Sequence, residues 1–195
     1  MRRAAIELVV GLVAFVLAGW GLGELWVRVG NTADVNAIKN VADWRPTAVV
    51  DIAKAFTWLG SSVVLIPLGL VVCFFFWRAD RRHDAAAIAL SLGGAIALWH
   101  LVKPLVGRPR PPVEHLASVN GTSFPSGHST QAAAFWLALA LALNTTWGWV
   151  GAVAIVVVVC STRVILGVHY PGDVIAGALL GGGWAVFCRL VVMAV

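Results

Sequence analysis

The sequence predicts an all-α, polytopic membrane protein, with six transmembrane helices and an amphipathic segment along the outer face. Three observations carry that prediction. Hydrophobic residues make up 60% of the chain and charged residues only 12%, with a mean hydropathy of +0.89, whereas a soluble domain carries about 25% charge. Apolar runs of about twenty residues, the length that crosses a bilayer core of about 30 Å, recur along the chain. Five or six such runs use most of the 195 residues, so the expected organisation is a single domain over residues 1–195 with no room for a second.

The elements follow in order. Met1-Arg2-Arg3 leads into an apolar run from Ile6 to Val27, broken only by Glu7 and Glu24 near its ends. A cleaved signal peptide also starts basic, but its apolar core is about 7 to 15 residues long and a small-residue cleavage site follows. This run is longer and continues through Trp20, Glu24 and Trp26, so it reads as a retained first span. From Arg28 to Trp58 the chain turns polar and mixed, and after Pro46 the residues Val49, Ile52, Ala53 and Phe56 recur at helical spacing. That pattern predicts an amphipathic helix on the membrane surface, which covers the bundle or serves as a lid or lipid gate. Ser61–Trp77 and Ala85–Val102 are the second and third spans, joined by the loop Arg78–Asp84. The fourth, Thr130–Leu143, reaches spanning length when its helix begins at His128; Asn144-Thr145-Thr146 separates it from the fifth, Trp147–Val168, and Val174–Val195 is the sixth.

Six spans place both termini on one side. Arg2-Arg3 and Arg78-Arg81-Arg82 fall on that side and mark it as cytoplasmic. The outer loops also contain Lys and Arg, mostly within the candidate site or offset by Asp34, Asp43 and Asp51. The net charge of +5 does not point to nucleic acid, because no dense basic face on a soluble module accompanies it. Lys103, Arg108, Arg110 and Arg163 read as cations reserved for an anion. Cys73, Cys160 and Cys188 stand singly in apolar surroundings, with neither disulfide nor metal spacing, and read as small buried hydrophobes.

Nearly all the remaining polar chemistry lies between Lys103 and Asp173, in three blocks: KPLVGRPRP (Lys103–Pro111), PSGH (Pro125–His128) and TRVILGVHYPGD (Thr162–Asp173). Ionisable groups are costly beside membrane spans and read as functional there. Ser126 is a natural N-cap for the helix opening at Gly127 and His128, where free amides and the positive end of the helix dipole suit an oxyanion. A plain cap accounts for that block equally well when it is taken alone. Pro171 and Gly172 indicate a turn into the last helix, with Asp173 in its first turn. An Asp one turn beyond His169 can accept the Nδ1 proton and leave Nε2 free as a nucleophile or base. A lone interfacial His is usually structural, but His169 with Asp173 and Arg163 favours chemistry. Lys103 and the arginines would stabilise charge on phosphoryl oxygens, with Pro104, Pro109, Pro111 and Pro112 stiffening the loop that presents Lys103 and Arg110. By itself that block would be a basic loop touching lipid headgroups. Apart from Asp173 the region offers only Glu114, beside His115, so no metal site is expected, and no P-loop motif is present. Either His128 or His169 could be the attacking group on these grounds.

Read together, K-x6-R-P from Lys103 to Pro111, P-S-G-H from Pro125 to His128 and R-x5-H-x3-D through Arg163, His169 and Asp173 resemble the three-part signature of the type 2 phosphatidic acid phosphatase superfamily. Those lipid phosphatases share a core with vanadium haloperoxidases. The family's third block usually begins Ser-Arg, whereas Thr162 precedes Arg163 here and Ser161 lies one place earlier; a hydroxyl is kept. The resemblance implies that His169 attacks phosphorus to form a phosphohistidine, oriented by Asp173. It implies that His128 protonates the leaving oxygen and then activates water, and that Lys103, Arg110, Ser126, Gly127 and Arg163 hold the phosphoryl oxygens. No cofactor is implied. The expected partners are a lipid phosphate and membrane lipids, with the site facing away from the cytoplasm. Expected substrates are an isoprenyl phosphate or diphosphate, phosphatidic acid or phosphatidylglycerol phosphate, the isoprenyl carrier being preferred for so compact a chain. Transfer of the phosphoryl group to another lipid is an alternative. So is a non-catalytic anionic-lipid-binding or transport protein, which would need the cations but not the His169–Asp173 pair.

Overall fold

A computed structural model describes residues 2–194, and the expected limits at Met1 and Val195 lie outside them. Among the described residues there is no strand. Helix α1 (Arg2–Val29) leads to α2 (Asn31–Trp44), α3 (Thr47–Phe56), a 3-10 turn (Thr57–Gly60), α4 (Ser62–Arg78), α5 (Arg82–Val106), α6 (Gly127–Leu143), α7 (Thr146–Ile165) and α8 (Pro171–Met193). Four of them, α1, α5, α7 and α8, are long and apolar enough to cross a membrane, and a fifth span results if the pair Thr47–Gly60 and Ser62–Arg78, bent by 45°, counts as one. Helices α4 and α6 have 17 residues each. At 1.5 Å per residue that is about 25 Å of helix against a core of about 30 Å.

The burial pattern is inverted relative to a soluble bundle. Outward faces carry Val13 and Leu17 of α1, Val153 and Val157 of α7 and Leu179 and Leu190 of α8, each at least half exposed, while Ala132, Ala133, Ser129, Thr130 and Gln131 of α6 are buried. Large apolar side chains facing outward cost little in lipid, where packing and hydrogen bonding rather than hydrophobic burial join helices. The chain is therefore an integral membrane protein with α6 at its centre, packed against α5, α7 and α8. Helix α5 turns Ala87, Ile88, Ser91, Leu92, Ala95 and Leu98 inward at three- and four-residue intervals, the single stripe expected of a helix on the bundle's edge.

Small residues set the closest approaches. Gly177 and Gly181, four apart on α8, lie against the first turns of α6: a Cβ on Gly177 would come within 2.8 Å of the Ser126 carbonyl oxygen, and one on Gly181 would collide with that of Thr130. This G-x-x-x-G face lets the two backbones meet. Gly11, Gly19 and Gly23 of α1 make room for the side chains of Phe187, Val102 and Val106. At the end opposite the candidate site, Asp84 pairs with both Arg81 and Arg189, and Arg81 also donates to the Ala142 carbonyl at the end of α6.

Two expectations are corrected here. The mixed stretch Arg28–Trp58 does form a helix after Pro46, but it is helical before Pro46 as well. Helix α2 buries Asp34 and Ile38, so this stretch reaches into the bundle rather than only covering it. The third span begins at Arg82 and runs to Val106, which places Lys103 and Pro104 in the last turn of α5 rather than in a proline-stiffened loop. Gly107, with φ +64 and its N–H on the Lys103 carbonyl, ends that helix, a left-handed stop that suits glycine.

Candidate active site

The C-terminal ends of α5 and α7, the N-terminal ends of α6 and α8 and the loop from Gly107 to Ser126 meet at one end of the bundle. All three sequence blocks come together there. Ser123 N–H donates to the Arg108 carbonyl at 2.7 Å, and Ser126 N–H to the Asp173 carbonyl at 3.1 Å. These bonds tie the first block to the loop just before the second, and the second block to the third.

His169 sits in the turn between α7 and α8. Gly167 adopts φ +73, and the N–H groups of Val168 and His169 both reach the Arg163 carbonyl, at 3.2 and 3.3 Å. Tyr170 caps α8 and Pro171 opens it. Asp173, at the third helical position, accepts from Tyr170 N–H at 3.0 Å and from the Ser123 hydroxyl, both on Oδ2. His169 Nδ1 lies 3.5 Å from the same oxygen, beyond hydrogen-bond length, and has no other partner among the described residues. The ring is 3% exposed. Burial pushes its pKa down to about 4; Asp173 opposes that shift, and the charges of Arg163 and Lys103 reinforce it. At neutral pH the imidazole is therefore uncharged, with a carboxylate beside Nδ1.

The cations divide into two groups. Lys103 Nζ donates to the Thr122 carbonyl and stands 5.8 Å from the Trp99 ring centroid. Arg163 is buried, donates to Thr57 Oγ1 at 2.8 Å, and has an Nε with no partner among the described residues. Arg110, by contrast, spends one N–H of each nitrogen on the loop. It donates to the carbonyls of Gly121 at 3.0 Å, Val168 at 2.7 Å and Asn120 at 3.0 Å, which leaves one N–H on each terminal nitrogen. Partial burial lowers its pKa, with Asp173 opposing.

Ser126 occupies the N-cap position of α6 but its side chain caps nothing; its hydroxyl instead accepts from Ser129 Oγ at 3.1 Å. The expected capping bond is therefore absent among the described residues. The first-turn amides, Gly127 among them, are left without a side-chain partner at the positive end of the helix. Gly127 packs closely on Trp99, because a Cβ would sit 3.1 Å from that ring and would require it to shift slightly. His128 lines a cavity of about 450 Å³ whose wall also includes Arg163, Thr57, Trp58, Lys54 and Ser118. The amphipathic segment thus forms one side of the approach to His128 and Arg163.

Arg108 is the main correction. It does not wait for an anion but pairs with two carboxylates, Asp173 at 2.7 Å and Asp34 at 2.8 Å, while stacked 4.0 Å over the Tyr170 ring. Asp34 was invisible to motif reading because it lies in a mixed polar stretch about seventy residues before the first block. Thr57, in the 3-10 turn, and Ser123, in the loop between the first two blocks, were missed because a lone hydroxyl carries no signal until the fold places it. Among the described residues no three His, Cys, Asp or Glu side chains come together as a metal site.

Comparison with known proteins bears on the family and the fold. A family model described as the PAP2 superfamily matches residues 84–195. A lipid A 1-phosphatase of Rhizobium etli is 33% identical over 175 residues, covering 77% of this chain and 74% of that protein. A phosphatidylglycerophosphatase B of Bacillus subtilis is 32% identical over 142 residues, covering 67% and 69%. The crystal structure of a transmembrane PAP2-type phosphatidylglycerolphosphate phosphatase from Bacillus subtilis superposes with a TM-score of 0.79 at 25% identity, covering 94% of each chain.

Proposed function

The chain belongs to the PAP2 superfamily, and from that premise we propose how this membrane lipid phosphatase works. The substrate is a lipid ending in a phosphate or diphosphate monoester. Candidates are an isoprenyl phosphate or diphosphate, phosphatidic acid and phosphatidylglycerol phosphate, to which the names of the relatives add the 1-phosphate of lipid A. The headgroup enters the cavity beside Lys54 and Trp58, and the phosphoryl oxygens meet Arg163, Lys103, the spare N–H groups of Arg110, the Ser126 hydroxyl and the Gly127 amide.

His169 Nε2 attacks phosphorus, and the lipid oxygen leaves with a proton from His128. Asp173 holds the positive charge that develops on the ring. His128 then takes a proton from water, the water oxygen attacks the phosphohistidine, and phosphate departs with His169 restored. The observation that supports this reading most is a buried, neutral His169 with a carboxylate 3.5 Å from Nδ1. A binding protein would need the cations but would have no use for that pair.

The same reading counts α1, α4, α5, α6, α7 and α8 as six spans of one domain, with the site on the non-cytoplasmic face. The short α4 and α6 are made up by local thinning of the bilayer or by flanking polar residues, at modest cost. The test is phosphate release by purified protein from a panel of those lipids, in the presence of EDTA. Hydrolysis of at least one lipid, unchanged by chelator and abolished by His169→Ala, is expected. Full loss in EDTA, restored by one divalent metal, would replace the metal-free mechanism.

A further inference from the structure

We infer that Asp34 and Arg108 are positioning residues for the reaction, forming a buried bridge that holds Asp173 toward His169 while leaving it its negative charge. This rests on His169 being the nucleophile. Neither residue belongs to the three-part signature, and Asp34 comes from α2, outside the region the signature covers.

Both terminal nitrogens of Arg108 are engaged, while its buried Nε has no partner among the described residues. Arg108 Nη1 lies 2.7 Å from Asp173 Oδ1 and Nη2 lies 2.8 Å from Asp34 Oδ2, while Asn31 Oδ1 accepts a longer bond from Nη2 at 3.3 Å. Asp34 is fixed in turn by Gly172 N–H on Oδ1 at 2.9 Å and by the Trp26 indole N–H on Oδ2 at 2.9 Å. Asp34, Arg108 and Asp173 are 4%, 2% and 0% exposed. Because Arg108 occupies Oδ1, Asp173 can turn only Oδ2 toward the imidazole, and the Ser123 hydroxyl and Tyr170 N–H fix that oxygen.

Charge explains why two carboxylates are needed. One guanidinium paired with Asp173 alone would cancel the charge that must stabilise the ring when Nε2 bonds to phosphorus. Sharing Arg108 between two carboxylates leaves the cluster with a net charge of one negative, in a buried setting where charges act strongly. The other groups facing His169 are cationic or neutral: Arg163 from α7, Lys103 from α5, His128 from α6 and Arg110 through the Val168 carbonyl. The Asp34–Arg108–Asp173 cluster is thus the source of negative potential at the ring. A lysine could not replace Arg108, because it lacks the planar fork that reaches both carboxylates.

The test compares Asp34→Asn and Arg108→Lys with the parent, each purified monodisperse and assayed on short-chain phosphatidic acid in detergent, or on whichever panel lipid the parent hydrolyses. Asp34→Asn removes the charge and keeps the shape; Arg108→Lys keeps the charge and removes the fork. Each is expected to lower kcat about tenfold, as a unit charge or its displacement does at protein dielectric, with KM within about twofold, because the interaction is used in the transition state. Parent-like kcat in either folded variant, even with a lowered melting temperature, would overturn the inference, as would a rise in KM alone. If neither variant can be recovered folded, the bridge is a folding element and the positioning role fails. Retained turnover by His169→Ala would instead sink the nucleophile assignment itself, which keeps the two failures distinct.

Discussion

The role proposed for His169 combines two opposed demands: a nucleophile must be neutral before attack, yet its ring would become positive as the bond to phosphorus forms. Burial meets the first and Asp173 the second, and the pKa near 4 is the balance between them. The direction is testable without a substrate. A histidine in water has a pKa of about 6.5, so between pH 6.5 and about 4 an exposed ring would carry a proton while His169 stays neutral. NMR of histidine-labelled protein, with the resonance assigned from His169→Gln, should show that ring unprotonated down to about pH 5 and protonating only below it. A midpoint near 6.5 would mean the ring is solvated and the proposed preparation of the nucleophile is absent. The cluster Asp34–Arg108–Asp173 is the residue-scale feature that sequence reading missed. Arg108 was visible as a cation but was assigned to the substrate, since nothing in K-x6-R-P distinguishes an arginine that binds phosphate from one that binds a carboxylate.

At the scale of elements, the long apolar runs were legible because their hydropathy does not depend on partners. The expected spans Ser61–Trp77 and Ala85–Val102 differ from α4 and α5 by only a few residues at each end. The blocks of the candidate site were legible for a similar reason: Pro171 opening α8 and Asp173 in its first turn are local signals, and both stand where the sequence puts them. What was not legible depends on tertiary contact. Helix α2 has only a mixed polar pattern, and its burial of Asp34 follows from the partners Trp26, Gly172 and Arg108, which no local period encodes. The capping role expected of Ser126 failed likewise, because its hydroxyl accepts from Ser129 Oγ rather than from a first-turn amide. The tight α6–α8 seam was written in Gly177 and Gly181, a spacing that means little until both helices are known to lie in a membrane.

For the whole molecule, the arrangement of helix ends decides which lipids can be reached. The site gathers the ends of α5, α6, α7 and α8 on one face, while the Arg81–Asp84–Arg189 cluster sits at the other. If that arginine-rich end is cytoplasmic, the cavity opens to the outer leaflet. In a background cleared of Cys73, Cys160 and Cys188, Asn120→Cys in the exposed loop between the first two blocks should react with a membrane-impermeant thiol reagent on intact cells. Ala79→Cys, exposed at the end of α4, should react only after the membrane is opened. The reverse pattern would put phosphate release on the cytoplasmic face. In the proposed mechanism, the fold brings three separated blocks together so that one histidine carries the phosphoryl group. This mechanism is tested most directly by mixing purified protein with a lipid substrate labelled in its terminal phosphate, quenching in alkali within one turnover, and mapping the label. Base-stable, acid-labile phosphate is expected on His169 and is expected to be absent from His169→Ala. Label on any other side chain, or lipid consumed in a single turnover with no labelled protein formed, would contradict it.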